Sequence, residues 1–203
     1  MPGIYIHIPF CLKKCAYCNF FSVTDISLKD SFMDALLKEM EMRSAYLKKE
    51  IPTTLYFGGG TPSLLLSDEI QRVIDKAKIL FNLSPQAEIT LEANPNNLTE
   101  EYLKRLKETS INRLSIGVQS FFDEDMLVLG RIHTAKQAED SIALAIKYGY
   151  ENLSVDLIYG FPLFTLKKWK ENLEILGRTS LRINSLINGL DNYIRDYQTD
   201  YSF

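Results

Sequence analysis

The chain has 203 residues, a formal net charge of −3, and 46% hydrophobic and 24% charged residues. That allows one substantial domain with a buried core and excludes a disordered or membrane-like composition. The charge balance offers no basic footprint for nucleic acid.

No apolar run approaches the ~20 residues of a membrane helix. The N-terminus, MPGIYIHIPF, has neither the charged region nor the long apolar stretch of a secretory signal. A cytoplasmic location is the expectation. Short β-rich runs alternate with amphipathic segments. IYIHI (4–8) reads as a strand. The segment 29–48 reads as a helix, with Phe32, Met33, Leu36, Leu37, Met40 and Leu47 at helical spacing. TTLYF (53–57) is a strand ended by three glycines. Ser67 starts a helix over 67–80, with Ile70, Val73, Ile74 and Ala77 on one face and Asp68 and Glu69 in the first turn, where they suit the dipole.

EITLEA (88–93) is a third strand, stopped by Asn94 and Pro95, and Thr99 opens a helix over 100–109. RLSIGV (113–118) is a fourth strand, followed by a helix over 134–148. NLSVDLI (152–158) is a fifth strand, followed by a helix over 165–176 with Leu166, Trp169, Leu173 and Leu176 on one face. Strict alternation implies an α/β fold with parallel strands and right-handed crossovers. The strands are mostly continuous apolar runs, as expected of a sheet covered on both faces. A barrel, a partial barrel and an open doubly wound sheet all fit. In each, function sits past the C-terminal ends of the strands, where the notable polar residues cluster.

All three cysteines lie in Cys11-Leu-Lys-Lys-Cys15-Ala-Tyr-Cys18, directly after the first strand. An odd, tightly clustered set argues against a disulfide framework and for a metal site. Three thiolates can bind three irons of a cubane 4Fe–4S cluster and leave the fourth iron open for the amino and carboxylate groups of S-adenosylmethionine (SAM). Zinc competes, with His7 as a fourth ligand. Gly58, Gly59 and Gly60 let the backbone approach a ligand closely, or form a tight turn. No Gly-Lys-Ser/Thr follows them, so they are not a Walker loop.

The C-x3-C-x2-C spacing with an aromatic before the third cysteine resembles the radical SAM superfamily. Six segments stand in the order of one family within it: Tyr5-Ile-His7-Ile-Pro9-Phe10-Cys11, Gly58-Gly-Gly-Thr61-Pro62-Ser63, Leu91-Glu92-Ala93-Asn94-Pro95, Gly117-Val118-Gln119-Ser120-Phe121, Gly130-Arg131-Ile132-His133 and Asp156-Leu-Ile-Tyr-Gly160-Phe161-Pro162. They resemble the oxygen-independent coproporphyrinogen III oxidase family, and within it the HemW-like haem chaperone branch, over roughly residues 3–176. The resemblance implies a partial (β/α)6 TIM-like barrel, incomplete at the C-terminus. It divides the chain into a core domain, 1–176, and a divergent or truncated tail, 177–203. The sequence GRTSLRINSLINGLDNYIRDYQTDYSF does not match the family's sixth strand, although LRINSLI can form one.

The resemblance makes Cys11, Cys15 and Cys18 the cluster ligands. It implies SAM contacts from Tyr5, Gly59, Gly60, Thr61, Glu92, Gln119, Arg131 and Asp156. Glu92 can bridge two ribose hydroxyls, or pair with a nearby Lys. Gln119 can donate and accept at SAM's polar edge, or satisfy a loop. The planar fork of Arg131 suits SAM's carboxylate, or belongs to the surface. Asp156, inside SVDLI, needs a partner or a ligand; in the oxidase branch this position faces a second SAM or the substrate. His7 lies near the cluster or is a satisfied core residue. Phe10, Tyr17, Phe20 and Phe21 surround the cysteines and would exclude water, or are plain core. Leu163 and Phe164 stand where the family more usually has Gly-Gln.

The chemistry implied is reductive cleavage of SAM, with electrons from a flavodoxin- or ferredoxin-like donor. Two activities compete. One is a haem chaperone that binds haem and passes it to haem-accepting proteins, touching a membrane only through them. The other is oxidative conversion of coproporphyrinogen III to protoporphyrinogen IX. Phe20, where the oxidase branch has a further cysteine, and a motif beginning at residue 11, without that branch's N-terminal extension, favour the chaperone. An inactive truncated product is the third reading.

Overall fold

The computed structural model of the chain describes residues 2–47, 50–178 and 185–188. Six strands, β1 (Gly3–Ile8), β2 (Thr54–Gly59), β3 (Glu88–Ala93), β4 (Arg113–Gln119), β5 (Leu153–Tyr159) and β6 (Ser185–Asn188), form one parallel sheet in sequence order. The crossovers carry α1 (Lys29–Met42), α2 (Ser67–Phe81), α3 (Glu100–Leu106), α4 (Asp123–Leu129) with α5 (Ala135–Lys147), and α6 (Leu166–Gly177). Consecutive order decides between the expected architectures. A doubly wound sheet reverses its strand order at a switch point, whereas a singly wound one curls into a barrel wall. With β1 and β6 at its two edges, the barrel is partial.

Parallel pairing places like residues side by side, so each face can be read across the strands. One face carries Leu55, Ile89 in one row, and Phe57, Leu91, Leu114 and Leu153 in the next. All six are buried against helix residues such as Ile70, Val73, Ile74, Leu103, Leu106 and Ile142. The other face carries Tyr5, Tyr56, Thr90 and Arg113 in one row, then Glu92, Ser115 and Ser154. Toward the helices the strands are apolar, and most of their polar residues stand on the opposite face. Their polar face is the barrel interior.

Caps fix the helix starts. Thr99 Oγ1 accepts from Tyr102 N at 3.2 Å, and Thr134 Oγ1 from Gln137 N at 3.2 Å, with Gln137 Oε1 returning to Thr134 N at 2.9 Å. Glu69 accepts from Leu66 N at 2.6 Å and pairs with Lys29 at 2.7 Å, joining the first turns of α2 and α1.

Several boundaries differ from the sequence reading. The first helix ends at Met42, not 48, and residues 43–46 form a turn (Ser44 N to Glu41 O, 3.2 Å; Tyr46 N to Arg43 O, 2.8 Å). Ser44 is a poor helix former that favours such turns. The third helix stops at Leu106. Helix α4 was not expected; Asp123, Glu124 and Asp125 occupy its first turn and Gly130, at φ 70°, caps its end. Leu166, assigned to the inner face of α6, is 81% exposed. A sixth strand does form, Ser185–Asn188, overlapping the end of LRINSLI, and pairs with β5. Of the proposed tail, the remaining residues beyond Arg178 lie outside the described residues.

Candidate functional site

The polar interior opens at the C-terminal ends of the strands into a cavity of about 380 Å³. Cys11, Cys15, Cys18, Gly59, Gly60, Thr61, Glu92, Gln119, Arg131 and Asp156 all line it. The cysteine loop leaves β1 and is tied back by Cys11 N to Val23 O (2.9 Å) and Val23 N to Pro9 O (2.7 Å).

A ring of hydrogen bonds links two of the thiols. Thr61 Oγ1 donates to Cys11 Sγ (3.5 Å) and accepts from Asn94 Nδ2 (3.2 Å). Asn94 Oδ1 accepts from Arg131 Nη2 (2.5 Å), and Arg131 Nη1 lies 3.6 Å from Cys15 Sγ and 3.4 Å from Tyr17 Oη. Arg131 Nη2 also donates to the Gly117 carbonyl at 2.8 Å. The fork expected to meet a carboxylate is thus turned on the cysteine loop, while the buried Nε has no hydrogen-bond partner among the described residues. Burial, then the neighbouring thiols, push the Cys18 thiol upward; coordination to a metal would reverse that by deprotonating it.

The glycines act by close approach. A Cβ on Gly60 would sit 2.7 Å from the Phe10 carbonyl and 3.0 Å from Cys11 Sγ. Gly59 has φ 113° and sits where a Cβ would meet the His7 ring at 2.6 Å. No larger residue admits the cysteine loop so near β2. Among the described residues no three Cys, His, Asp or Glu side chains converge on a point that would suit one metal ion. Three thiols lining one cavity are the donor type that iron–sulfur clusters take.

Glu92 accepts from Tyr56 Oη (2.7 Å) and from Gly59 N (3.1 Å), not from a lysine. Burial raises its carboxyl above the usual range, against the pull of these two donors. Asp156 meets Ser115 Oγ at 3.5 Å. Gln119 is buried at the end of β4 with φ 74°, and its Oε1 has no hydrogen-bond partner among the described residues. These features fit a polar ligand: an open acceptor at Gln119, a carboxylate at Glu92, and glycine floors at Gly59 and Gly117.

Tyr5 and His7 stand apart. They line a second, apolar groove of about 540 Å³ between β1 and α1. His7 Nε2 donates to the Phe21 carbonyl (3.0 Å) and Nδ1 accepts from Tyr5 Oη (3.1 Å). Tyr5 reaches the cavity wall through Tyr56, on which it stacks with ring centroids 6.0 Å apart. Of the aromatics expected to shield the cysteines, Phe10 is buried, but Phe20 and Phe21 are 67% and 71% exposed. His133 is buried, and its Nε2 donates to the Val118 carbonyl at 3.1 Å.

The sequence reading missed Tyr56, Asn94, Ser115 and Arg113, all on the cavity wall. Their signal was period two: Glu92 and Asn94, or Arg113, Ser115, Gly117 and Gln119, alternate with apolar residues.

Comparison with known proteins finds relatives of this chain in both sequence and fold. The haem chaperone HemW of Lactococcus lactis is 36% identical over 171 residues, 84% of this chain and 44% of its own length. HemW of Escherichia coli K12 is 38% identical over 165 residues, 79% and 43%. The chain thus spans less than half the length of these curated relatives. The structure of coproporphyrinogen III oxidase HemN from E. coli, a radical SAM enzyme, superposes with a TM-score of 0.82 at 30% identity, covering 92% of this chain and 43% of that one. The methyltransferase TsrM of Kitasatospora setae shares the fold at a TM-score of 0.65 and 12% identity, over 92% and 36%. Residues 5–176 match the radical SAM superfamily as a whole; with its three thiols and polar strand ends gathered on one cavity, the chain belongs to that superfamily.

Proposed function

We propose that Cys11, Cys15 and Cys18 hold a 4Fe–4S cluster, that SAM binds in the adjoining cavity, and that the protein serves as a haem chaperone. The observation that carries this is the meeting of three thiols with Glu92, Gln119 and Asp156 around one cavity. When bound, the cluster would supply the electron for reductive cleavage of SAM. Thr61 and Arg131 orient the thiols by donating toward Cys11 and Cys15. Glu92 would accept from ribose hydroxyls, Gln119 would accept at its open Oε1, and Gly59, Gly60 and Gly117 would admit the ligand closely. Tyr5 would act through Tyr56, holding its phenol on Glu92.

The chaperone reading is supported by the HemW relatives and by Phe20, exposed beside the third thiol where a further cysteine would mark an oxidase. Haem and haem-accepting proteins are the partners of this reading, with an external one-electron donor. The likeness to HemN supports the alternative, coproporphyrinogen III oxidation.

Anaerobic reconstitution with iron and sulfide, followed by electron paramagnetic resonance with and without SAM, tests the site. The expected result is a reduced 4Fe–4S signal that shifts with SAM and is lost in Cys15→Ala; full iron retention in that variant would refute the ligand assignment. Haem titration and coproporphyrinogen turnover then separate the two activities.

A further inference from the structure

Gln119 carries a backbone conformation that a side chain other than glycine seldom adopts. At φ 74° its Cβ crowds its own carbonyl, so the surroundings must hold it there. The pairing of β4 with β5 shifts register at the same point.

What holds it lies just downstream. Ser120 Oγ donates to Asp125 Oδ2 on α4 at 2.7 Å. The Phe121 N–H donates to Asn172 Oδ1 on α6 at 2.7 Å, and Asn172 Nδ2 returns to Ser120 Oγ at 3.2 Å. Lys168, one turn earlier on α6, donates to Asp125 Oδ1 at 2.8 Å. Ser120 and Asp125 are 0% exposed and Asn172 is 2% exposed.

Burying a carboxylate and a carboxamide is costly unless their atoms are bonded. Apolar side chains would pin α6 to the sheet at less cost. The polar network adds something they lack, a fixed backbone at residues 120 and 121.

We propose that Asp125 and Asn172 are positioning residues for the SAM site, locking residues 120–121 so that Gln119 keeps its left-handed conformation and presents its carboxamide to the cavity. This rests on the reading of the cavity as a SAM site. It makes α6, a helix that contributes nothing to the cavity wall, a determinant of SAM affinity.

The test is anaerobic calorimetric titration of SAM into reconstituted protein. Asn172→Ala and Gln119→Ala are each expected to weaken binding about tenfold. In the double variant the second substitution should add less than about twofold, because its effect runs through Gln119. Ile142→Ala, a cavity in the core under α5, should lower the melting temperature at least as much and leave SAM affinity unchanged. Ser120→Ala repeats the cycle if Asn172→Ala does not fold.

Additive losses in the double variant would overturn the proposal alone, as would an Ile142→Ala protein as weak for SAM as Asn172→Ala. A wild-type protein that binds no SAM would overturn the SAM reading and the proposal with it, whereas Gln119→Ala binding as the wild type does would overturn the proposal alone.

Discussion

Asn94 joins two halves of the cysteine site, with its Nδ2 on Thr61 and its Oδ1 on Arg131. Removing its carboxamide leaves a part-buried guanidinium and a buried hydroxyl each short of a partner, a cost of about 1–3 kcal/mol. Asn94→Ala should therefore retain less iron and sulfide after reconstitution while keeping its fold; iron content beside far-ultraviolet circular dichroism checks this. Glu92 gives a pH signature. Burial raises its carboxyl above the ordinary value of 4.5, and accepting from ribose hydroxyls favours the ionised form. SAM affinity should be constant near neutrality and fall on acidification through that raised range. Glu92→Gln should bind SAM weakly and flatten the profile; an unchanged profile would remove Glu92 from the site. His133 acts on stability instead. Burial, then Arg131, depress its pKa from 6.5 to about 4. The stability it contributes is complete above pH 6.5 and lost as pH falls through the native value near 4, reaching roughly 3 kcal/mol. Urea unfolding of wild type and His133→Gln at neutral and acidic pH should show the wild type losing more.

At the scale of elements, the turn Phe161-Pro162-Leu163-Phe164 is the least comfortable. Phe164 N bonds the Phe161 carbonyl at 3.0 Å, Pro162 takes the second position and Leu163, third, has φ 69°. This is a type II turn, whose third residue is normally glycine. Leu163 is 66% exposed and gains little burial there. Leu163→Gly should stabilise the chain by about 0.5–1 kcal/mol, the left-handed cost less the added chain entropy; denaturant titration reads it. The strain was half legible in the sequence, because the unusual Leu163 was visible but its φ was not. The five β–α units and the cysteine loop were legible because periodicity and spacing are local properties. The interior face was not. Tyr56 and Ser115 interrupt runs that look apolar, and only the register between strands shows them on one surface with Glu92. Helix α4 was hidden by its length, seven residues between Phe122 and Gly130, too short to show a period.

For the molecule as a whole, the sheet ends in two edges, β1 and β6, among the described residues. The apolar groove beside β1 lies along the first of them, with Tyr5 and Phe21 exposed. An open edge next to apolar surface is a template for association. The 203-residue chain should show concentration-dependent self-association at micromolar concentrations, read by sedimentation velocity; a single monomer species across that range would contradict it. The route of the chain through the cysteine site also has a consequence for synthesis. Cys11, Cys15 and Cys18 are made before the residues that orient two of them, because the hydrogen bonds to Cys11 and Cys15 form only with Thr61, Asn94 and Arg131. Translation from residue 18 to residue 131 takes roughly 6–20 s at bacterial and eukaryotic speeds. Throughout that interval the three thiols are bare on a nascent chain, open to oxidation and to stray metals. On the proposed cluster reading, iron and sulfide that arrive before translation has passed the fourth strand would meet thiols not yet oriented, and the quality of the finished centre would depend on how reducing its surroundings are during those seconds.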